Sequence, residues 1–88
     1  MTTIDVHCRP IAAGSLCTVV VDDLTGSSRF EVTATDVAYD DHERLVRETF
    51  EFLLERESRT AILSTFDLRD VSRYFPEYPA TIRVRLSR

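Results

Sequence analysis

The sequence predicts an α+β domain of two layers, an antiparallel sheet of about four strands in the order β-β-β-α-α-β with the helices packed on one face. Two patterns predict it. The first third of the chain alternates apolar and polar residues with the period of two that half-buried strands show. From residue 45 onward, apolar residues recur at spacings of three and four, which is typical of an amphipathic helix. One apolar helix stripe can cover one apolar sheet face, so the two patterns fit one core.

Three strands are predicted before residue 36. The first alternates Ile4, Val6 and Cys8 with polar residues, the second spans residues 16–21, and the third begins near Phe30. Glycine and short polar residues between them favour turns, the second of which spans residues 23–28. We expect the three strands to form an antiparallel meander.

The register of these strands can be tested by pairing. Placing Cys8 opposite Cys17 also sets Ile4 opposite Val21, and placing Val21 opposite Phe30 continues the apolar set into the third strand. Both pairings put the apolar residues of all three strands on one face, as burial of that face demands. The sequence therefore predicts that the two cysteines are cross-strand neighbours.

The first helix is predicted to begin at Asp40, with Glu43 completing a capping pair, and to carry its apolar stripe from Leu45 to Leu54. Residues 60–65 are predicted to form a short helix or turn.

A second short helix is predicted to begin near Asp67 and to end before Pro76, since proline disfavours helical geometry in the preceding residue. Its inward residues are expected to include Tyr74 and Phe75. Residues 82–86 alternate apolar side chains with arginine and predict the fourth strand.

Length and charge limit the classes of function. The chain has 88 residues, which predicts one domain over residues 1–88. Its net charge of −4 disfavours unspecific attraction to nucleic acids or anionic membranes. The sequence shows neither a secretory signal nor a membrane-spanning apolar run, and two cysteines in that setting predict reduced thiols and a cytoplasmic protein.

The residues that could carry chemistry are few. Cys8 and Cys17 share a face with valines and are expected to be small buried apolar residues. The acidic run from Asp40 to Glu43, with His42, is better explained by favourable charge at a helix start than by a metal. No nucleophile elbow or glycine-rich phosphate loop is present. The sequence therefore predicts no catalytic residue, metal or cofactor, and an enzyme is the less favoured class.

A resemblance covers less than half of the chain. It is carried by FEFLLERE at residues 50–57, by Ile62-Leu63 and Phe66-Asp67-Leu68, and by SRYFPEY at residues 72–78. This combination resembles a family of small bacterial proteins without a known activity. The resemblance therefore implies no catalytic or binding residue.

Three functions stay open. The first is a non-catalytic protein-interaction module, including a homodimer, that binds its partner through Leu16 and Val20 on the uncovered sheet face and through Tyr78. The second is a small nucleic-acid-binding module with an arginine-lined sheet face. Its binding residues would be Arg83, Arg85 and Arg88. The third is a subunit of an oligomeric enzyme or ligand-binding protein whose site forms at an interface.

Overall fold

The computed structural model describes residues 1–35 and 40–87, in which four strands form one mixed sheet in the order β1-β2-β3-β4. The strands are β1 (Thr3–Ile11), β2 (Gly14–Asp23), β3 (Gly26–Ala34) and β4 (Thr65–Asp67). The helices are α1 (His42–Leu54), α2 (Val71–Tyr74) and α3 (Tyr78–Leu86), with turns of 3-10 helix at Arg59–Ala61 and Leu68–Asp70. The α+β class with a small sheet is confirmed. No helix in these ranges is long and apolar enough to cross a membrane.

The β1–β2 hairpin has the predicted register, with Cys8 opposite Cys17. Residues 12–13 form the two-residue turn that joins the strands. Gly14, which follows the turn, has a φ of +150°, and a Cβ there would lie 2.2 Å from the carbonyl oxygen of Ala34. Only glycine fits this backbone and this close approach, so Gly14 fixes where β2 begins.

The β2–β3 register differs from the prediction by two residues. Val19 lies opposite Phe30, where the sequence pattern predicted Val21. A slip of one residue would have moved the apolar set to the wrong face, whereas a slip of two keeps it in the core. The periodicity therefore predicted the correct face but could not distinguish between registers two residues apart.

A tight turn decides the β2–β3 register. Asp23 pairs with Gly26, so that only residues 24–25 form the loop. The Asp23 carboxylate accepts hydrogen bonds from the N–H and the hydroxyl of Thr25, at 2.8 and 2.6 Å. The Arg59 guanidinium holds the turn from outside by donating to Asp23 at 3.1 Å and to Ser28 at 2.6 Å. The turn is therefore shorter than the composition predicted, and a hydrogen-bonding side chain from a distant part of the chain holds it.

The predicted last strand is wrong, because residues 82–86 belong to helix α3. Tyr78 and Ile82 are buried and Leu86 is half-buried, and these three residues recur every four positions. Spacings of two and four coincide at Ile82 and Leu86, so a short alternating run fits a helix as well as a strand. Val84 distinguishes the two structures: it is 62 % exposed, as a helix requires and a half-buried strand does not.

The fourth strand lies instead at β4, within the segment predicted as a helix or turn followed by a helix start. Its pairing with β3 is parallel, and the N–H of Glu31 donates to the carbonyl of Ser64 at 2.8 Å. Three residues are too few for a periodic pattern to reveal. Asp67 then caps the following 3-10 turn by accepting from the N–H of Arg69, which confirms the predicted cap.

Helix α1 begins one residue later than predicted. Asp41, not Asp40, is the N-cap, and its side chain accepts from the N–H of Arg44 at 3.0 Å. The apolar stripe from Leu45 to Leu54 is confirmed and is wider than predicted. Phe52 is also fully buried, with its ring against Tyr78 at a centroid distance of 5.3 Å. This second contact surface lets α1 pack on α3 as well as on the sheet.

Side chains of α1 also reach the outer edge of β1. Arg47 donates a hydrogen bond to the carbonyl oxygen of Ile4. The N–H of Cys8 donates to the Glu43 carboxylate at 3.4 Å. These backbone groups point away from β2, so the helix supplies partners that a neighbouring strand would otherwise provide.

Candidate functional site

Alternation along the strands separates two faces of the sheet. Val19 is fully buried on the face that packs against the helices. Leu16 and Val20 point to the other face, which none of the helices described in residues 1–35 and 40–87 covers. We call this the open face. Its central residues are Asp5, His7 and Arg9 of β1, Leu16, Thr18 and Val20 of β2, and Arg29, Glu31 and Thr33 of β3.

The strand pairings arrange these nine residues in three rows across the sheet. The rows are Asp5–Val20–Arg29, His7–Thr18–Glu31 and Arg9–Leu16–Thr33. Every row has a residue of β2 at its centre. These rows are therefore apolar or hydroxylic along β2 and carry their charges on β1 and β3, and Thr65 and Asp67 of β4 extend the same face beyond Glu31 and Thr33.

The centre of the open face is half-buried although no described helix covers it. Leu16 and Val20 are both half-buried. Thr18 donates to the Glu31 carboxylate at 3.4 Å, and Arg29 lies 4.0 Å from the same carboxylate. The Arg29 side chain is 73 % exposed, and an ion pair so loose and exposed contributes little to stability. The charges of β3 are therefore available to another molecule.

Tyr78, the third predicted partner-binding residue, does not lie on a surface. Only 7 % of it is exposed, and its hydroxyl lies 2.7 Å from that of Thr49 in the core. The Thr49 hydroxyl in turn donates to the carbonyl of Leu45 at 2.7 Å. Tyr78 thus joins α3 to α1, and its assignment to the binding surface is wrong.

The predicted arginine-lined sheet face does not form. Arg83 and Arg85 lie on α3, away from the sheet surface. Arg85 donates to the Glu55 carboxylate at 2.7 Å, and this hydrogen bond raises its pKa. Arg83 is exposed, and Arg88 lies outside the described residues. The row depended on residues 82–88 forming a strand, so it is lost together with that strand.

The two cysteines are joined in a disulfide between β1 and β2. The predicted cross-strand adjacency is confirmed, whereas the interpretation as free thiols is wrong. Cys17 is fully buried and Cys8 is half-buried, as their apolar face requires. An apolar pattern reports burial and adjacency, but it does not report whether two adjacent thiols are oxidised.

The acidic run at the start of α1 borders an open cleft of about 430 Å³ with Cys8 and Ser15. The Ser15 hydroxyl lies 2.7 Å from Nδ1 of His42, Asp41 caps the helix, and Glu43 accepts from Cys8. Each of these groups therefore has a structural role. Among the described residues, no three carboxylates, imidazoles or thiols are placed to hold a metal ion.

A second cleft, of about 400 Å³, lies between β4 and α2. Its lining includes Ile62, Phe66 and Phe75, all of which are half-buried. Tyr74 was expected to point inward, but it is 69 % exposed at the rim of this cleft. Tyr74 is the last residue of α2 and Phe75 follows it, and because consecutive residues project in different directions only Phe75 packs against the core.

No family model, curated protein or solved structure matches the chain. The resemblance of residues 50–78 to a bacterial family stays a prediction.

Proposed function

We propose that the domain acts through protein contacts without a catalytic role, and that it forms a homodimer through the open face. The observation that carries the proposal is the position of Leu16 and Val20. Both lie at the centre of a sheet face that no described helix covers, while Cys17, Val19 and Val21 on the opposite face of β2 are buried in the core. An uncovered apolar centre with a polar rim is typical of a protein–protein interface.

The size of the face shows which residues a dimer would need. A stable interface buries about 800 Å² on each partner, roughly 15 % of the 5480 Å² of accessible surface. Three strands of about nine residues form a surface of roughly 30 by 14 Å. Leu16 and Val20 alone cover a small part of it. The charged residues on β1 and β3 must therefore also lie in the interface.

Native mass spectrometry of the protein and of the double variant Leu16→Asp, Val20→Asp tests the proposal. We expect a dimer for the protein and a monomer for the variant, because two buried carboxylates at the centre of an interface cannot be compensated. Val84→Asp is the matched control, since Val84 is an apolar residue that is exposed on α3. The control should remain dimeric.

Two results would remove the proposal. One is a monomeric protein at micromolar concentration. The other is a dimer that persists in the double variant while circular dichroism shows that the variant is folded. A small molecule or metal retained by the protein would instead favour the interface-site alternative.

Nucleic-acid binding is not proposed as a second function. It depended on an arginine row beside an open sheet, and Arg83 and Arg85 lie on α3 instead. Arg85 is also held by Glu55.

The cytoplasmic location stays a prediction. It relied in part on reduced thiols, and the disulfide between Cys8 and Cys17 removes that support, because disulfides persist mainly in oxidising compartments. Alkylation of free thiols at the moment of cell lysis, followed by mass spectrometry of the chain, shows whether the two cysteines are reduced or joined in the cell. Two blocked cysteines per chain would agree with the cytoplasm, and an unmodified disulfide would contradict it.

A further inference from the structure

We propose that two copies meet with their open faces about a twofold axis that runs along β2. This inference rests on the homodimer proposed above and names its geometry. About such an axis, β2 lies against β2 of the second copy, and β1 lies against β3 of the second copy. Each row of residues on the open face then meets the same row of the second copy in reverse order.

The row centred on Val20 brings opposite charges together when it meets the same row of the second copy in reverse order. Asp5 meets Arg29 of the second copy, and Arg29 meets that copy's Asp5, while Val20 packs on Val20. Within one chain the two charges flank Val20 from opposite sides, about 10 Å apart, so they do not pair with each other. Packed sheets lie about 10 Å apart, a distance that an aspartate and an arginine can bridge together.

The other two rows behave in the same way. In the row centred on Thr18, His7 meets the Glu31 carboxylate of the second copy, which can accept a hydrogen bond from the imidazole. In the row centred on Leu16, leucine packs on leucine, and Arg9 meets Thr33. None of the three rows brings two like charges together.

A twofold axis that runs perpendicular to the strands, through the row centred on Thr18, gives a poorer match. That axis would pair Arg9 with Asp5 and Leu16 with Val20, which are favourable contacts. It would also place Glu31 against Glu31 of the second copy, and like charges directly opposite each other are destabilising. The order of charges across the rows therefore favours the axis along β2.

Charge reversal separates these geometries. In Asp5→Arg, the new arginine meets Arg29 of the second copy at two symmetric positions, and we expect homodimer affinity to fall about 10- to 100-fold. Arg29→Asp should fall similarly. Mixed together, the two variants should form a heterodimer with near-native affinity, because both cross-pairs are again of opposite sign. Native mass spectrometry resolves the species, since the two chains differ in mass.

Arg9→Asp is the matched control, a charge reversal of the same kind on the same strand as Asp5. The axis along β2 predicts that mixing it with Asp5→Arg relieves only one of the two repulsive pairs, so affinity recovers no further than in a mixture of Asp5→Arg with the wild-type chain. The doubly reversed chain Asp5→Arg, Arg29→Asp should dimerise with itself, because each pair is again of opposite sign. Its dimerisation would show that the loss of affinity in the single variants does not come from a failure to fold.

The outcomes distinguish this geometry from the homodimer itself. Recovery of near-native affinity with Arg29→Asp, and only partial recovery with Arg9→Asp, supports the axis along β2. Recovery of near-native affinity with Arg9→Asp overturns it in favour of the perpendicular axis. If none of the three charge reversals changes the affinity of the dimer, yet Leu16→Asp, Val20→Asp dissociates it, the axis along β2 is wrong and the homodimer through the open face is still supported. A monomeric wild-type protein overturns both.

Discussion

At the scale of single residues, the contacts that matter most join parts of the chain that are far apart in sequence. Arg59 reaches 36 positions back to Asp23 and holds the β2–β3 turn. The sequence pattern shows Asp23 as a turn residue, but it does not show which of the arginines reaches it. This is why the position of the turn could be predicted and its length could not.

The turn predicts a specific pH dependence. Hydrogen bonds from the Thr25 hydroxyl and N–H, strengthened by Arg59, lower the pKa of Asp23 from 3.8 to about 2. Because the pKa is lower in the folded chain, the ionised carboxylate stabilises the fold above about pH 4, and this contribution is lost as the pH falls towards 2. In thermal unfolding, Asp23→Asn should melt below the wild-type protein at neutral pH, and the two curves should converge near pH 2. A constant difference from pH 7 to pH 2 would contradict the assignment.

At the scale of elements, the end of the chain shows where sequence patterns lose their meaning. Five residues are enough to suggest alternation, and they are too few to separate a period of two from a spacing of four. The burial of Tyr78 against α1 resolves the ambiguity, since it places the whole segment on the helical layer. Longer elements carried more information: β1, β2 and α1 were all predicted at their places in the chain, although β2 extends two residues beyond its predicted span of 16–21 at each end.

Alanine substitution in α3 tests this assignment. In the helix Ile82 is buried and Val84 is exposed, so Ile82→Ala should lower the free energy of unfolding by about 2–4 kcal/mol. Val84→Ala should change it by less than about 0.5 kcal/mol. In a strand both side chains would share one face and both substitutions would be costly. Urea unfolding of the two variants measures the difference.

At the scale of the whole molecule, the open face could be located from the sequence and its charge pattern could not. The alternation of side chains along β2 was enough to place Leu16 and Val20 on the face opposite the core. The rows across the sheet depend on the β2–β3 register, which the Asp23 turn shifts by two residues. With the predicted register Val20 would have lain beside Glu31, not Arg29, so the self-complementary rows appear only in the folded chain.

The disulfide predicts a change in global stability. It closes a short loop, with a sequence separation of 9 between Cys8 and Cys17. In the chain-entropy model, closing a loop of this length in the unfolded state stabilises the fold by about 3 kcal/mol. Urea unfolding with and without a phosphine reductant should show this difference. The variant Cys8→Ala, Cys17→Ala should give the same midpoint in both conditions. The expectation would be refuted if the urea midpoint of the wild-type protein did not change although reduction of the disulfide had been confirmed.

The α1 side chains at the outer edge of β1 have a consequence for ordered aggregation. A bare strand edge can recruit an identical strand and propagate into an amyloid fibril. Arg47 and Glu43 already occupy the backbone groups of Ile4 and Cys8 that such a strand would use. The opposite edge consists of β4, which is three residues long, and of the part of β3 before Glu31, with which β4 does not pair. Growth by strand addition is therefore obstructed at the β1 edge of the sheet, and the proposed contact between open faces would use neither edge.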